Sequence, residues 1–253
     1  MTGLSFISAC DAKLDICVLI DSSGSIRDNN PPDGSYDNWS LLLNFVDKVL
    51  EGFKIGPDAT RVGVVVFSEQ VNLVFPMSAY SDIQNIKAAI QRIPYLGQTT
   101  NTPEGLKVVR EQCFNAANGD RPNVENLAII VTDGVPFPGS RRDPAIQQAQ
   151  LLKQDGDFMI TVGITDIIDE AFLKALSSPP QKLNEQYYKA TDFTVLSQVV
   201  NKLVLGVCDT VEIPKTASKF SMFSSLKQAL IAHFHSVFHS IILRTPGSCF
   251  RIF

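Results

Sequence analysis

Long apolar runs are missing from this sequence of 253 residues: none approaches the roughly 20 residues that a helix needs to span a bilayer. Also missing are two glycine-rich patterns that cradle nucleotide phosphates, GxGxxG and GxxxxGK followed by Ser or Thr. Positive charge is scarce, with 22 Lys and Arg against 26 Asp and Glu and a net charge of -4. These absences argue against a membrane-spanning segment, a nucleotide-binding loop and nucleic-acid binding, whereas an acidic body is compatible with divalent cations.

The last part of the chain differs in charge from the rest. After Glu212 there are five basic residues and no Asp or Glu, so the preceding body is more acidic than the net charge indicates. We interpret residues 209–253 as a C-terminal extension of unknown structure, and prefer a poorly packed or non-native segment over an amphipathic one that contacts a membrane or a partner. No carboxylate or cysteine accompanies its histidines at zinc-ligand spacing, so a zinc site is not predicted; they are His233, His235 and His239.

The chain begins with MTGLSFISAC, which has no basic segment and only a short apolar stretch, so no signal peptide is evident. Either a secretory signal lies upstream of this fragment, or the chain is not secreted by the usual route. The five cysteines do not decide between these alternatives, because an odd number leaves at least one without an intramolecular partner.

Apolar runs of strand length alternate with longer helical patterns from Asp15 to about Val207. Runs such as CVLI, VGVVVF and LAIIV are apolar throughout, which is typical of strands buried on both faces. The pattern predicts an α/β fold with a doubly wound, mostly parallel sheet and helices on both faces. The predicted strands are 16–20, 61–67, 71–75, 127–131 and 159–164, with a weak one near Tyr187; the predicted helices are 38–53, 82–93, 103–117, 144–154, 169–176 and 194–205.

Only three residues separate strand 61–67 from strand 71–75, which is too short for a parallel crossover. The two strands are therefore predicted to form a hairpin with an antiparallel strand at the sheet edge.

Polar residues follow two of the predicted core strands. The first strand ends in DSSGS (21–25), and a later one ends in TDG (132–134). Between them, GQTTNTPEG (97–105) supplies hydroxyls just before a helix. Because ligands of open α/β sheets bind beyond the carboxyl ends of the strands, we expect these segments to meet at one solvent-facing rim.

The three segments offer only oxygen ligands, the type that hard divalent cations select. The sequence therefore favours Mg2+, with Mn2+ or Ca2+ as alternatives. Taken singly, each segment has a simpler interpretation as a serine-rich turn, a strand-ending turn or a helix cap. Their occurrence together after strands outweighs those interpretations.

The arrangement resembles the von Willebrand factor type A domain, called the I domain in integrins, of the extracellular-matrix type, over roughly Asp11 to Cys208. That family carries a metal-ion-dependent adhesion site, whose Asp-x-Ser-x-Ser, Thr and Asp elements are matched here by Asp21, Ser23, Ser25, Thr100 and Asp133. The resemblance implies direct coordination by the two serines and usually the threonine, with the aspartates often acting through water or hydrogen bonds. The domain is placed at residues 10–208, after an N-terminal lead of residues 1–9.

The resemblance also implies a secreted, non-enzymatic adhesion module whose protein ligand completes the metal coordination with an Asp or Glu carboxylate. The alternative is a metal-dependent phosphoryl-transfer enzyme at the same rim. Aspartyl-phosphate chemistry of that type wants a second carboxylate two residues after the nucleophile, and position 23 is serine. Between Ile164 and Asp169 there is no room for the extra helix of collagen-binding integrin domains, so that ligand mode receives no support.

In the same family, a cysteine pair that brackets the domain commonly joins its ends, which implies a bond between Cys10 and Cys208. Cys17, in a predicted buried strand, and Cys113, in a predicted helix, are interpreted as free apolar thiols of the core, with a bond between them as the alternative. Cys249 has no evident partner. In the long segment after DSSGS, Tyr36 is a candidate partner contact, whereas Trp39 is predicted to pack inside.

Overall fold

The computed structural model describes residues 10–165 and 168–211, with side chains described as far as Cys208. It contains a six-stranded sheet in the order β3-β2-β1-β4-β5-β6. Neighbouring strands pair in parallel, except that β3 pairs antiparallel with β2 at one edge. The strands are β1 (Leu14–Asp21), β2 (Arg61–Phe67), β3 (Val71–Phe75), β4 (Glu125–Thr132), β5 (Phe158–Ile164) and β6 (Tyr187–Ala190).

Seven α-helices surround this sheet in the described residues. They are α1 (Gly24–Asp28), α2 (Asn38–Glu51), α3 (Ile83–Ile90), α4 (Thr102–Val108), α5 (Arg142–Asp155), α6 (Glu170–Leu176) and α7 (Ser197–Val211). Every residue of β1 is buried, so both faces of this central strand are covered. Residues Cys17 and Leu19 belong to a core shared with α4, α5 and α6, whereas Ile16, Val18 and Ile20 are buried on the other side.

The predicted fold class is confirmed, including the antiparallel edge strand and the weak strand at Tyr187. Some helix ends differ from prediction. Helix α4 continues as a π-helical turn only to Cys113, because Phe114 leaves the helical region and the Asn115 side chain accepts a hydrogen bond from the backbone N–H of Ala117. Helix α7 starts after a short 3-10 turn, since the Asp192 carboxylate caps the backbone N–H groups of Thr194 and Val195.

The expected bond between Cys10 and Cys208 is present and joins the segment before β1 to α7, with the two Cα atoms 5.9 Å apart. Cys249 lies outside the described residues.

The interpretation of Cys17 and Cys113 as free thiols is wrong: they are bonded, with their Cα atoms 6.3 Å apart. The parallel register of β1 and β2 places Gly63 beside Cys17, and a Cβ atom at Gly63 would lie 2.7 Å from the Sγ of Cys113. The missing side chain therefore makes the space for the sulfur. Sequence periodicity does not reveal this space, because the space is formed by a glycine on the neighbouring strand β2.

We predict that Gly63→Ala lowers the free energy of unfolding of the oxidised protein, since the added methyl group collides with the Cys113 sulfur. The same substitution should cost clearly less in a Cys17→Ala, Cys113→Ala background, where the sulfur is gone. Removing the bond should itself cost up to roughly 4 to 5 kcal/mol in the chain-entropy model, although measured values often fall short. The four proteins to compare are the parent, Gly63→Ala, the double cysteine variant and the variant with all three substitutions. Urea unfolding without reductant measures the free energy of unfolding of each.

Non-reducing peptide mapping is the accompanying check, and it should find both cysteine pairs. Equal costs of Gly63→Ala in the two backgrounds, or free thiols at 17 and 113, would contradict this account.

Candidate metal-binding site

The pairing of β1 with β4 brings the two predicted carboxylates to the same edge of the sheet. The strands run parallel with Ile20 beside Val131, so Asp21 ends β1 next to Thr132, the last residue of β4. The chain leaves β1 toward β2 on one side, while β4 lies on the other side. This is a switch point in strand order, where open α/β sheets form their binding sites.

Asp21 is fully buried, and both of its carboxylate oxygens accept hydrogen bonds. Its Oδ1 accepts from the backbone N–H of Ser23 at 2.9 Å, and its Oδ2 accepts from the hydroxyl of Thr132 at 2.6 Å. The expectation of solvent-facing carboxylates is therefore wrong: the turn after β1 folds back over Asp21, and Asp133 is buried as well. Thr132 was missed by the sequence reasoning, although it directly precedes Asp133 in TDG.

Three further predicted residues form a chain of side-chain contacts. The Ser23 and Ser25 hydroxyl oxygens are 3.2 Å apart, and the Ser25 hydroxyl donates to Oδ1 of Asp133 at 2.8 Å. The other Asp133 oxygen, Oδ2, is buried and has no hydrogen-bond partner. Such an orphaned buried oxygen is costly unless something positive or a donor meets it.

Burial raises the pKa of Asp21 above its ordinary value and that of Asp133 to about 7, with the nearby Asp21 charge as the second cause for Asp133. Within the described residues, no Lys or Arg forms an ion pair with either carboxylate; Arg27, for example, pairs with Asp37. What the site lacks is therefore positive charge. Two carboxylates and several hydroxyls suit a hard divalent cation, so the residues present fit the metal that the sequence implies.

The segment before α4 is tied to the DSSGS turn by several hydrogen bonds. The Tyr95 hydroxyl lies 2.9 Å from the backbone oxygens of both Ser23 and Gly24. The Ser22 side chain accepts from the N–H of Leu96 at 2.8 Å, and the N–H of Gly24 donates to the Gln98 carbonyl at 2.8 Å. These contacts position the turn and were not predicted, since Tyr95 precedes the predicted segment.

Thr100 is buried, and it lines the same cavity as Ser25. This cavity has a volume of about 660 Å³. Its remaining lining residues come from α1, the β2–β3 turn, the segment before α4 and the segment after β4; they are Gly24, Asp28, Glu69, Gly97, Gln98, Thr99 and Phe137. The structure thus brings Thr100 to the cavity beside the serine and aspartate chain.

The long segment after DSSGS shapes one side of this site. Arg27 forms a bidentate pair with Asp37 and lies over the Tyr95 ring, 4.4 Å from its centroid. Trp39 is buried, and its indole N–H donates to the Ile93 carbonyl at 3.3 Å, which confirms its predicted packing role. Tyr36 is exposed and stays a candidate partner contact.

No group of three or more His, Cys, Asp or Glu side chains in the described residues is arranged to hold a metal, so the candidate site depends on its hydroxyls. No helix in this part of the chain is long and apolar enough to cross a membrane.

Curated relatives include matrix proteins. The chain is 29% identical over 205 residues to matrilin-1 of Gallus gallus, covering 79% of this chain and 38% of matrilin-1. It is 30% identical over 203 residues to the collagen alpha-1(XII) chain of Notophthalmus viridescens, covering 80% of this chain and 20% of that protein. The chain thus spans well under half the length of these relatives.

Solved structures agree on the fold. Proximal thread matrix protein 1 from the mussel byssus superposes with a TM-score of 0.71 at 28% identity, covering 79% of this chain and 49% of that one. Another structure of that protein has a zinc-occupied MIDAS motif, and it matches with a TM-score of 0.67. Manganese-loaded TRAP protein of Plasmodium vivax shares the fold at 19% identity, with a TM-score of 0.59 and coverage of 76% of this chain and 73% of that one.

The sequence pattern of one family matches residues 15–202, most of the chain and nearly all of the described sheet. On this match, the chain belongs to the von Willebrand factor type A domain family.

Proposed function

We propose that this domain is a metal-ion-dependent adhesion module, in which a divalent cation, Mg2+ foremost, receives an Asp or Glu carboxylate from a protein ligand. One observation carries the proposal: Asp21 and Asp133 are buried at adjacent strand ends without a positive partner among the described residues, and Oδ2 of Asp133 has no hydrogen bond. The zinc-occupied MIDAS motif of one related structure and the manganese of another support a divalent metal.

The five predicted residues have distinct roles in this proposal. Ser23, Ser25 and Thr100 would hold the metal through their hydroxyls. Asp21 and Asp133 would act as outer partners, since both oxygens of Asp21 already accept hydrogen bonds and Asp133 accepts from Ser25. With mostly neutral direct ligands, the bound cation would remain electrophilic and attract a further carboxylate.

The setting of the module is part of the proposal. The domain comprises residues 10–208, between a short lead and the extension of residues 209–253, and it works outside the cell as a matrix protein. Matrilin and collagen relatives support that location, as do the two disulfide bonds, because such bonds persist in oxidising compartments.

Replacing the carboxylates should abolish metal-dependent ligand capture. We expect Asp21→Asn and Asp133→Ala to lose the EDTA-sensitive proteins that the parent retains from a matrix extract, because each change removes charge that holds the cation. Asp157→Asn is the matched control: Asp157 is also buried, but it precedes β5 at the opposite end of the sheet. Capture by Asp133→Ala at the parental level, with a native circular dichroism spectrum, would refute the site assignment.

The metal should stabilise the fold in a pH-dependent way. A carboxyl group with a raised folded-state pKa stabilises the protein while protonated, and this contribution is lost as pH rises from about 4 through about 7. The metal-free site therefore opposes folding above neutral pH. Mg2+ at about 100 times its Kd should add about 2.7 kcal/mol, or roughly 5 to 10 °C in Tm, at pH 7.5, and much less at pH 5, where protons compete.

Asp133→Asn is the control for this measurement. The metal-free variant should be at least as stable as the parent at pH 7.5, because a neutral amide replaces a buried charge, and it should show little response to Mg2+. A parental Mg2+ shift that is equal at both pH values would contradict the assignment.

The enzymatic alternative is tested directly. We expect no Mg2+-dependent phosphate release from p-nitrophenyl phosphate, because Ser23 occupies the position where phosphoryl transfer of this type needs a carboxylate. Release that requires Mg2+ and disappears in Asp21→Asn would replace the adhesion proposal with the enzymatic one.

A further inference from the structure

An exposed aromatic side chain stands beside the candidate metal site. Phe137, in the segment between β4 and α5, is 64% exposed, the largest exposed fraction among the large apolar side chains of the described residues. Val135, two residues earlier, is 41% exposed. Single exposed apolar residues are ordinary on protein surfaces, so the exposure alone does not indicate a role.

The backbone of Phe137 is fixed although its ring is exposed. Its N–H donates to the carbonyl of Thr100 at 3.1 Å, in an isolated antiparallel bridge with that proposed metal ligand. Its carbonyl accepts from the Arg141 guanidinium at 3.0 Å. Arg141 is itself held by a bidentate pair with Glu69, with both distances 2.9 Å, and it also donates to the Thr99 hydroxyl at 3.2 Å.

This network holds together three segments around the cavity: the β2–β3 turn with Glu69, the segment before α4 with Thr99 and Thr100, and the segment after β4 with Phe137. The ring is thus presented on a preorganised backbone. A ligand that packs on it does not have to order this loop first, which is how preorganised contacts gain affinity.

Phe137 is also the only apolar side chain among the residues that line the cavity of about 660 Å³. The others are glycines or carry hydroxyl, amide or carboxylate groups. A cavity of this size is in the range of small-ligand pockets and has room for more than one side chain. Among the lining residues, Phe137 therefore supplies the large apolar side chain on which an apolar group that enters beside a carboxylate can pack.

We propose that Phe137 determines ligand specificity: it selects exposed protein segments in which the metal-binding Asp or Glu is flanked by an apolar side chain, which packs on the Phe137 ring. This inference rests on the proposed function, since the carboxylate is placed by the metal. The ligand is then defined by an acidic group at the metal beside Ser25 and Thr100, and by an apolar group on the ring of Phe137, the bridge partner of Thr100.

The test uses beads coated with short peptides of the form Gly-Gly-X-Glu-X-Gly-Gly, where X is Leu, Ser or Lys, and the same peptides with Gln in place of Glu. Retention of the full chain is measured in Mg2+ and in EDTA. We expect the parent to prefer the Leu peptide over the Ser peptide by about tenfold, as burial of part of a leucine side chain would give. Phe137→Ala should reduce this preference to below about twofold.

Further measurements distinguish a loss of ligand specificity from a loss of the metal site itself. Phe137→Ala should keep the parental retention on the Ser peptide and the parental Mg2+ shift in Tm, and Phe137→Leu should recover part of the preference. Leu183→Ala is the matched control, since Leu183 is 48% exposed in the segment between α6 and β6 and does not line the cavity. It should retain the full preference.

The outcomes distinguish the two proposals. If no peptide shows a Mg2+-dependent difference between Glu and Gln, carboxylate binding through the metal fails and the specificity proposal fails with it. If Glu is required but Leu is not preferred, or Lys is preferred because of Asp28 on the cavity wall, the adhesion proposal stands and the role of Phe137 is overturned. Preference for Leu that persists in Phe137→Ala overturns it equally.

Discussion

Two buried carboxylates at adjacent strand ends are the constraint on which this site depends. Parallel pairing of β1 with β4 puts Asp21 beside Thr132, and Asp133 follows directly. Removing two like charges from water is costly, and each raises the cost for the other. Among the described residues, only hydroxyl and backbone N–H groups meet them. A bound cation, as proposed, would relieve this cost, so the buried charges that oppose folding in the absence of metal are the same groups that suit a metal.

The surrounding structure keeps this unfavourable arrangement in place. The Cys17 to Cys113 bond ties β1 to the helical segment that follows α4, and the Cys10 to Cys208 bond ties the segment before β1 to α7. At the opposite end of β1, Asp15 is fully buried and pairs with Arg121, whose guanidinium also donates to the Leu14 carbonyl. These contacts hold the start and the middle of β1, and the turn with its buried polar groups follows directly from this anchored strand.

A fixed backbone segment also connects the proposed metal site with the proposed ligand surface at Phe137. Thr100 lines the cavity and its carbonyl accepts from the N–H of Phe137, so one short segment serves both the proposed metal site and the proposed ligand surface. The ion pair of Arg141 with Glu69 links the segment that carries Phe137 to the β2–β3 turn. Surface ion pairs contribute little to stability on average, so its significance here lies in fixing the position of the Phe137 backbone.

Much of the fold was predictable, because strands buried on both faces leave continuous apolar runs and helices leave periodic ones; the sequence by itself determined the sheet class, the antiparallel edge and the segments that meet at the rim. It did not determine contacts that depend on neighbours in space. The space at Gly63 that admits the Cys113 sulfur, the burial of Asp21 under its own turn, the Thr132 hydroxyl on Asp21 and the Tyr95 hydroxyl beneath Ser23 were decided by the tertiary structure alone. The physical reason is that periodicity records which face of an element is buried, whereas strand register and loop packing decide which particular atoms meet there.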